Sequence, residues 1–345
     1  MTVRPHPRFR RTPRGDAREA HRPALRLGRL LRASLAGVLV ASVTAGCGLG
    51  ADSLGSTPPP PLDKSTIKVG IMPIVDCAPF FLAQKKGFFA DEGLKVEPVM
   101  IQGGAEGVPK LKSGALDVSF GNYVSFIQAQ ASGMKIHIMA EGYQATDGLL
   151  AVMAPPSSGI EGPEDLAGKT IAVNTLNNVG TLTVKSVLRT YGVDLNSVHF
   201  VAVPFPRMIQ ALRDGDADAA WMVEPFISAA KQALGAYMVL DSASGATEGL
   251  PVGGYVTTQR FVKEHPRTAA AFHRAIVRGE RLAASRSQVE KILPDYTKMD
   301  RETVALVGIG RYPTSVDQTR LQRVADLMKE FGILKKRLDV GTMIS

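Results

Sequence analysis

The chain has 345 residues, 45% of them apolar, which is enough material for two domains with sizeable cores. Its formal net charge of +9 is misleading, because residues 1–46 hold ten arginines and no lysine against Asp16 and Glu19. The remainder is close to neutral, which removes the compositional case for a nucleic-acid partner.

After the Arg-rich start, residues 33–44 form an uncharged run of small apolar residues, too short to span a bilayer but right for a signal-peptide core. Thr44-Ala45-Gly46-Cys47 follows and resembles a bacterial lipobox, with Thr44 where Leu is usual; the resemblance implies cleavage before a lipidated Cys47. Arg10-Arg11 does not complete a twin-arginine motif. Residues 48–65 are Gly, Ser, Thr and Asp around Pro58-Pro59-Pro60-Pro61, a composition that cannot bury a core and suits a partly extended tether. The expected organisation is a lipoprotein signal peptide at 1–46 and a lipidated Cys with its tether at 47–65. With Cys47 lipidated, Cys77 alone is left; it reads as a small buried thiol, and no intramolecular disulfide forms.

In the folded part, strands are expected at 67–72, 95–101, 116–120 and 136–140, alternating with helices at 77–86, 104–113 and 123–131. Asp76 is placed to cap the first helix. A second series follows: strand 149–153, a short helix 163–166, strand 170–174, helix 180–191, strand 198–203, a helix from 206, strand 217–222, helix 225–234 and an extended stretch 238–240. Residues 251–258 lead back, and the rest is mostly helical. Phe272, Ile276, Gly279 and Ala283 mark one apolar stripe and Val324, Met328 and Phe331 another, with Ser315 and Gln318 in capping-box spacing.

The two series share a grammar. Leu111-Lys112-x-Gly114-x-x-Asp117 matches Leu212-Arg213-x-Gly215-x-x-Asp218 at a constant offset of 101. In each copy an amphipathic helix stops at a Gly suited to the left-handed conformation, an Asp turn follows, and an apolar strand carries Phe120 or Trp221 at the equivalent position. Asn122 then caps the next helix in one copy; in the other Pro225 takes the first helical position with Glu224 as cap. A period of this length excludes a solenoid and reads as two lobes of one α/β design, with parallel sheets covered by helices.

Ligands of such sheets bind beyond the carboxyl ends of the strands, which selects loops 72–80, 120–123, 174–181 and 221–225. There Asn122, Asn174, Asn177, Asn178 and Thr181 offer hydrogen bonds, and Phe80, Tyr123, Phe205 and Trp221 offer flat apolar surface. Each also has a plain structural reading: the Asn residues as turn formers or caps, Trp221 as core, Asp76 and Glu224 as carboxylates at helix starts. Loops 72–80, 102–107 and 120–123 contain no Lys or Arg but include Asp76 and Glu106; Glu224 faces them, and Arg207 is the sole cation after a strand end. Such a charge set suits a neutral or cationic, flat, nitrogen-bearing solute better than an anion. Enzyme signatures are missing. The stretch 162–170 has five residues between its glycines and precedes a strand, so it is no phosphate loop. No HExxH, CxxC or GxSxG occurs, and His137, His199, His265 and His273 lack metal-ligand spacing, so neither metal nor cofactor is expected.

Ala78-Pro79 with Ala83, then Gly87-Phe88-Phe89-Ala90-Asp91-Glu92-Gly93-Leu94, Gly114 to Val118, Asp165-Leu166-Ala167-Gly168-Lys169 and residues 221–226 resemble the solute-binding proteins of ABC importers in the nitrate, sulfonate and taurine group, which includes thiamine-pyrimidine binders. The resemblance implies a two-lobed periplasmic-binding-protein fold of type II, with lobe 1 at 66–145 and 256–345, lobe 2 at 146–255, and crossings near 142–148 and 250–255. It adds Pro79 to the ligand contacts and implies a monomer held by lipid at the outer face of a bacterial cytoplasmic membrane. The partners are then a small-molecule solute and the permease and ATPase subunits. The solute would be a sulfonate, taurine or nitrate by resemblance, or a nitrogen heterocycle such as a pyrimidine by cleft charge. The other reading is an enzyme of menaquinone-pathway or pyrimidine-synthesis type on the same fold, which would need neither lipobox nor tether. A ligand-sensing regulator would need a DNA-binding segment in place of residues 1–65.

Overall fold

A computed structural model describes residues 61–344; the Arg-rich start, the apolar run, Cys47 and the tether to residue 60 lie outside them. The first strand, β1 (Thr66–Ile71), leads through a 3-10 turn into α1 (Ala78–Lys85) and α2 (Phe88–Asp91). Next come β2 (Lys95–Met100), α3 (Gly104–Ser113), β3 (Val118–Asn122), α4 (Tyr123–Ala131) and β4 (Ile136–Gln144). The second series is β5 (Ala151–Ala154), β6 (Thr170–Val173), α5 (Val179–Thr190), β7 (His199–Ala202), α6 (Phe205–Asp214), β8 (Ala219–Met222), α7 (Phe226–Leu234) and β9 (Tyr237–Asp241). The chain returns as β10 (Pro251–Thr258) and ends in α8 (Gln259–Glu264), α9 (Pro266–Ala283), α10 (Arg286–Ile292), α11 (Pro294–Thr297), α12 (Arg301–Leu306) and α13 (Gln318–Glu330).

These strands make two five-stranded sheets of the same topology, ordered β2-β1-β3-β10-β4 and β7-β6-β8-β5-β9. Three neighbouring strands of each pair in parallel, as the strand–helix alternation predicts. The other pairings are antiparallel through one reversed strand, β10 or β5, so each sheet is mixed but mainly parallel in strand direction. The cause is shared by both. The strand that follows each passage between sheets, β5 or β10, lies between two strands, β8 and β9 or β3 and β4, and runs against both.

The repeated grammar folds into the same local structure twice. Gly114 and Gly215 end α3 and α6 at φ of 77° and 78°, and a Cβ there would meet nothing, so the left-handed conformation is what requires glycine. Asp117 and Asp218 then each return a carboxylate oxygen to a first-strand amide, Lys68 N at 2.9 Å and Thr170 N at 2.8 Å. Each thereby ties the start of β3 or β8 to β1 or β6 and sets the parallel register.

Elsewhere the sequence reading of end groups needs correction. Asp76 caps nothing: it lies within the 3-10 turn Val75–Cys77, and the N-cap of α1 is Cys77 without a side-chain bond. Helix α13 is capped by Asp317, whose side chain accepts from Arg320 N, and not by Ser315. Pro225 precedes α7 as its N-cap instead of occupying its first position. The α9 stripe is as expected, with Phe272, Ile276, Gly279 and Ala283 all buried. Gly279 has a packing reason, because a Cβ there would lie 2.2 Å from the Pro79 carbonyl oxygen of α1. Among the described residues no helix is long and apolar enough to cross a membrane.

Candidate functional site

A cavity opens between the carboxyl ends of the two sheets, with about 370 Å³ of atom-free space, its mouth included. Met72, Ile74, Asp76, Gly103, Phe120, Asn122, Val252 and Gly253 line it from the first sheet's side, and Asn174, Val179, Phe205, Trp221 and Val223 from the second's. Contacts across the opening hold the two sides together: Val75 N donates to Glu224 O at 3.2 Å, Asn174 Nδ2 to Gln102 O at 3.3 Å, and Gln128 Nε2 to the Asn177 carbonyl.

The repeat explains the aromatic walls. Phe120 and Trp221 occupy equivalent strand positions and so face the cavity from opposite sides. Trp221 is buried, its Nε1 donates to Ser242 Oγ at 2.9 Å, and the Phe205 ring lies 6.0 Å away. Gly180 makes room for it, since a Cβ there would come within 2.7 Å of the indole.

The polar groups divide into those already engaged and those left over. Asn122 Oδ1 accepts from Ser125 N at 3.0 Å, and Asn178 Oδ1 accepts from Gly180 N at 3.1 Å and Thr181 N at 3.5 Å, so both asparagines cap the helices that start at the cavity. Asn178 Nδ2 donates to Asn174 Oδ1 at 2.6 Å, so Asn174 has its oxygen and one of its two N–H groups engaged. Left over among the lining side chains are the Asn122 amide nitrogen, the second N–H of Asn174 and the Asp76 carboxylate. Asp76 is 4% exposed and has no side-chain partner. Burial pushes its pKa up to about 7. Tyr312 Oη and Tyr296 Oη fix the backbone just before it, donating to Val75 O at 2.8 Å and Ile74 O at 3.2 Å.

Other expected site residues lie elsewhere. Phe80 is fully buried against Phe81 and Phe89 in the core beneath α1, and Pro79 sits where α1 meets α9. Tyr123 is buried with its hydroxyl against Gly254 and not toward the cavity. Glu224 stands one residue before the Pro225 N-cap of α7, yet its carboxylate still bonds the first turn, accepting from Ser228 N at 3.1 Å and Ser228 Oγ at 2.9 Å. Its carboxylate pKa is raised by burial and opposed by those two bonds, and it lines a different, more open depression with Lys231 and Asp300. Thr181 is buried behind the Asn178 cap, while Asn177 and Arg207 are exposed outside the cavity lining. Conversely, the sequence reading missed Val252 and Gly253 and did not single out Gly103 within loop 102–107. A signal for the last was present, because paired glycines in a strand mark close backbone approach. A Cβ on Gly253 would lie 2.7 Å from Gly121 O.

Residues 74–288 match the sequence family described as NMT1/THI5 like. The chain belongs to the NMT1/THI5-like family. Two curated relatives are the taurine-binding periplasmic protein of Escherichia coli, 28% identical over 205 residues, and the nitrate import ATP-binding protein NrtC of Synechocystis, 24% identical over 278 residues. The matches cover 58% and 74% of this NMT1/THI5-like chain but only 61% and 41% of those two proteins. A solved structure, the alkanesulfonate-binding protein SsuA from Xanthomonas axonopodis pv. citri bound to MOPS, superposes with a TM-score of 0.69 at 18% identity, covering 82% of this chain and 98% of that one. The family member described here therefore has the two-lobed periplasmic-binding-protein fold of type II.

Proposed function

We propose that this chain is an exported, lipid-tethered receptor that captures a small solute between two lobes and delivers it to an ABC permease and its ATPase. The observation that carries the reading is the cavity between the carboxyl ends of two like sheets, walled by aromatics from both. Names of the relatives, taurine-binding and nitrate-importing, support the transport class. The cavity brings together one carboxylate and two amides without a nucleophile–base pair, which favours a receptor over an enzyme on this fold. Lobe 1 is assigned to residues 66–145 and 256–345 and lobe 2 to 146–255, with hinges where the chain passes between sheets after Gln144 and before Pro251. We read the protein as a monomer.

The relatives suggest a sulfonate, taurine or nitrate as solute, whereas the cavity's own chemistry favours a flat, nitrogen-bearing one. Asp76 with the Asn122 amide offers the polar contacts, and Phe120, Phe205 and Trp221 offer ring faces. A thermal-shift screen of the purified protein with sulfonates, taurine, nitrate, pyrimidines and other nitrogen compounds tests the receptor reading, since binding to the folded state alone raises the midpoint. A raised midpoint with at least one solute is expected; a flat response to every class contradicts a receptor for such solutes. The tether makes a separate prediction. Cys47→Ser is expected to abolish lipid labelling in cells and release the protein from the membrane fraction. Labelled lipid on that variant would place the attachment elsewhere.

A further inference from the structure

Resting on the receptor reading above, we propose that the solute is a small organic cation, an amine or amidine, with Asp76 as its counter-ion and as the residue that selects it. Asp76 is the one ionisable side chain lining the cavity among the described residues, and no Lys, Arg or His joins it there. A carboxylate 4% exposed, bonded to its own backbone amide and without a cationic partner, needs a compensating charge when ionised, and an anion placed beside it adds repulsion instead.

Protein groups around Asp76 do not supply that charge. They are Cys77 in its own turn, Tyr143 on β4, Tyr255 on β10, Tyr296 on α11 and Tyr312 beyond α12, all held neutral by burial above all, with the Asp76 charge adding to the same direction. Glu224, whose charge acts on Tyr143 from the second lobe, is a further acid. At the starts of α4 and α5 Asn122 and Asn178 already accept from backbone amides, which competes with an anion there, whereas α3 and α6 start at the cavity residues Gly103 and Phe205 without a side-chain cap. The aromatic faces of Phe120, Phe205 and Trp221 suit a cation, which is attracted to the ring quadrupole when desolvated.

Burial keeps Asp76 largely protonated on the acid side of neutrality, so binding of a cation ionises it and expels a proton. Calorimetry of the purified protein with benzamidine, benzenesulfonate and taurine, in buffers of different ionisation enthalpy at about pH 6, reads both affinity and proton exchange. The expected result is that benzamidine binds with release of close to one proton. Asp76→Asn should weaken that binding at least tenfold and remove the proton release, while the wild-type proton count stands even if the variant folds poorly. Tighter binding of benzenesulfonate or taurine than of benzamidine, or cation binding without proton release, overturns the cation assignment and leaves the receptor reading in place. Binding of none of the three overturns the cation assignment too; the receptor reading falls with it if the wider screen is also flat.

Discussion

Trp221→Ala is expected to lower the free energy of unfolding by about 3–5 kcal/mol, the usual range for deleting a large buried aromatic whose site cannot collapse. Collapse is hindered here because the indole borders a cavity on one face and packs against Gly180 on another. Its Nε1 also holds Ser242, which donates to Leu150 O at 2.7 Å and lies within hydrogen-bond distance of Thr183 Oγ1, at 3.1 Å. Those contacts tie β8 and α5 to the two segments that pass between the sheets. The substitution should therefore loosen the second lobe and abolish solute binding together. Trp221→Phe keeps an aromatic ring but loses the pyrrole half of the indole and its hydrogen bond, so it should cost less than the alanine variant, about 1–3 kcal/mol. Urea unfolding checks both variants; a loss under about 1 kcal/mol for Trp221→Ala would mean that the indole does not carry the cavity wall.

The second large effect concerns Glu280, which no ligand reading uses. It is fully buried on α9, and neither carboxylate oxygen has a protein partner. Burial, and next the charge of Glu141, push its pKa up to about 9. In the unfolded chain the group returns to the ordinary carboxylate range near 4.3. Between those values the folded state binds more protons than the unfolded one, so stability falls as pH rises, by up to about 1.4 kcal/mol per pH unit. Asp76 contributes in the same direction only to about pH 7, which leaves Glu280 as the larger source above it. Glu280→Gln should therefore gain on the wild type progressively from about pH 5 to 9, with the widest margin at the alkaline end. Urea unfolding across that range measures it, and parallel wild-type and variant curves would show that Glu280 is ionised or partnered in the folded protein.

What could be read from the chain followed how local its cause was. The helix-stop glycines and the Asp turns at 114–117 and 215–218 are set by short-range geometry, so the repeat, the helices α3 and α6 and the Phe120–Trp221 equivalence were all legible. Asn122 and Asn178 were visible as candidates, but only the folded geometry shows that capping consumes their oxygens. Phe80 and Tyr123 stand in the right loops yet turn inward, because α1 packs on α9 and α4 packs beside β10; residue type on a loop does not disclose that direction. Val252 and Gly253 reach the cavity only because β10 returns from the second sheet and inserts beside β3, a long-range pairing with no local signature. The burial of Asp76, Glu141 and Glu280 has the same origin in packing between distant elements.

Trp221 is the sole tryptophan of the chain and stands on the wall of the cavity, so its fluorescence reports directly on whether solute binds between the sheets. Titrating a solute that raises the thermal midpoint should change the emission saturably, with one site per chain and the same dissociation constant as calorimetry gives. Calorimetric binding with unaltered Trp221 emission would place the solute elsewhere and contradict capture in this cavity.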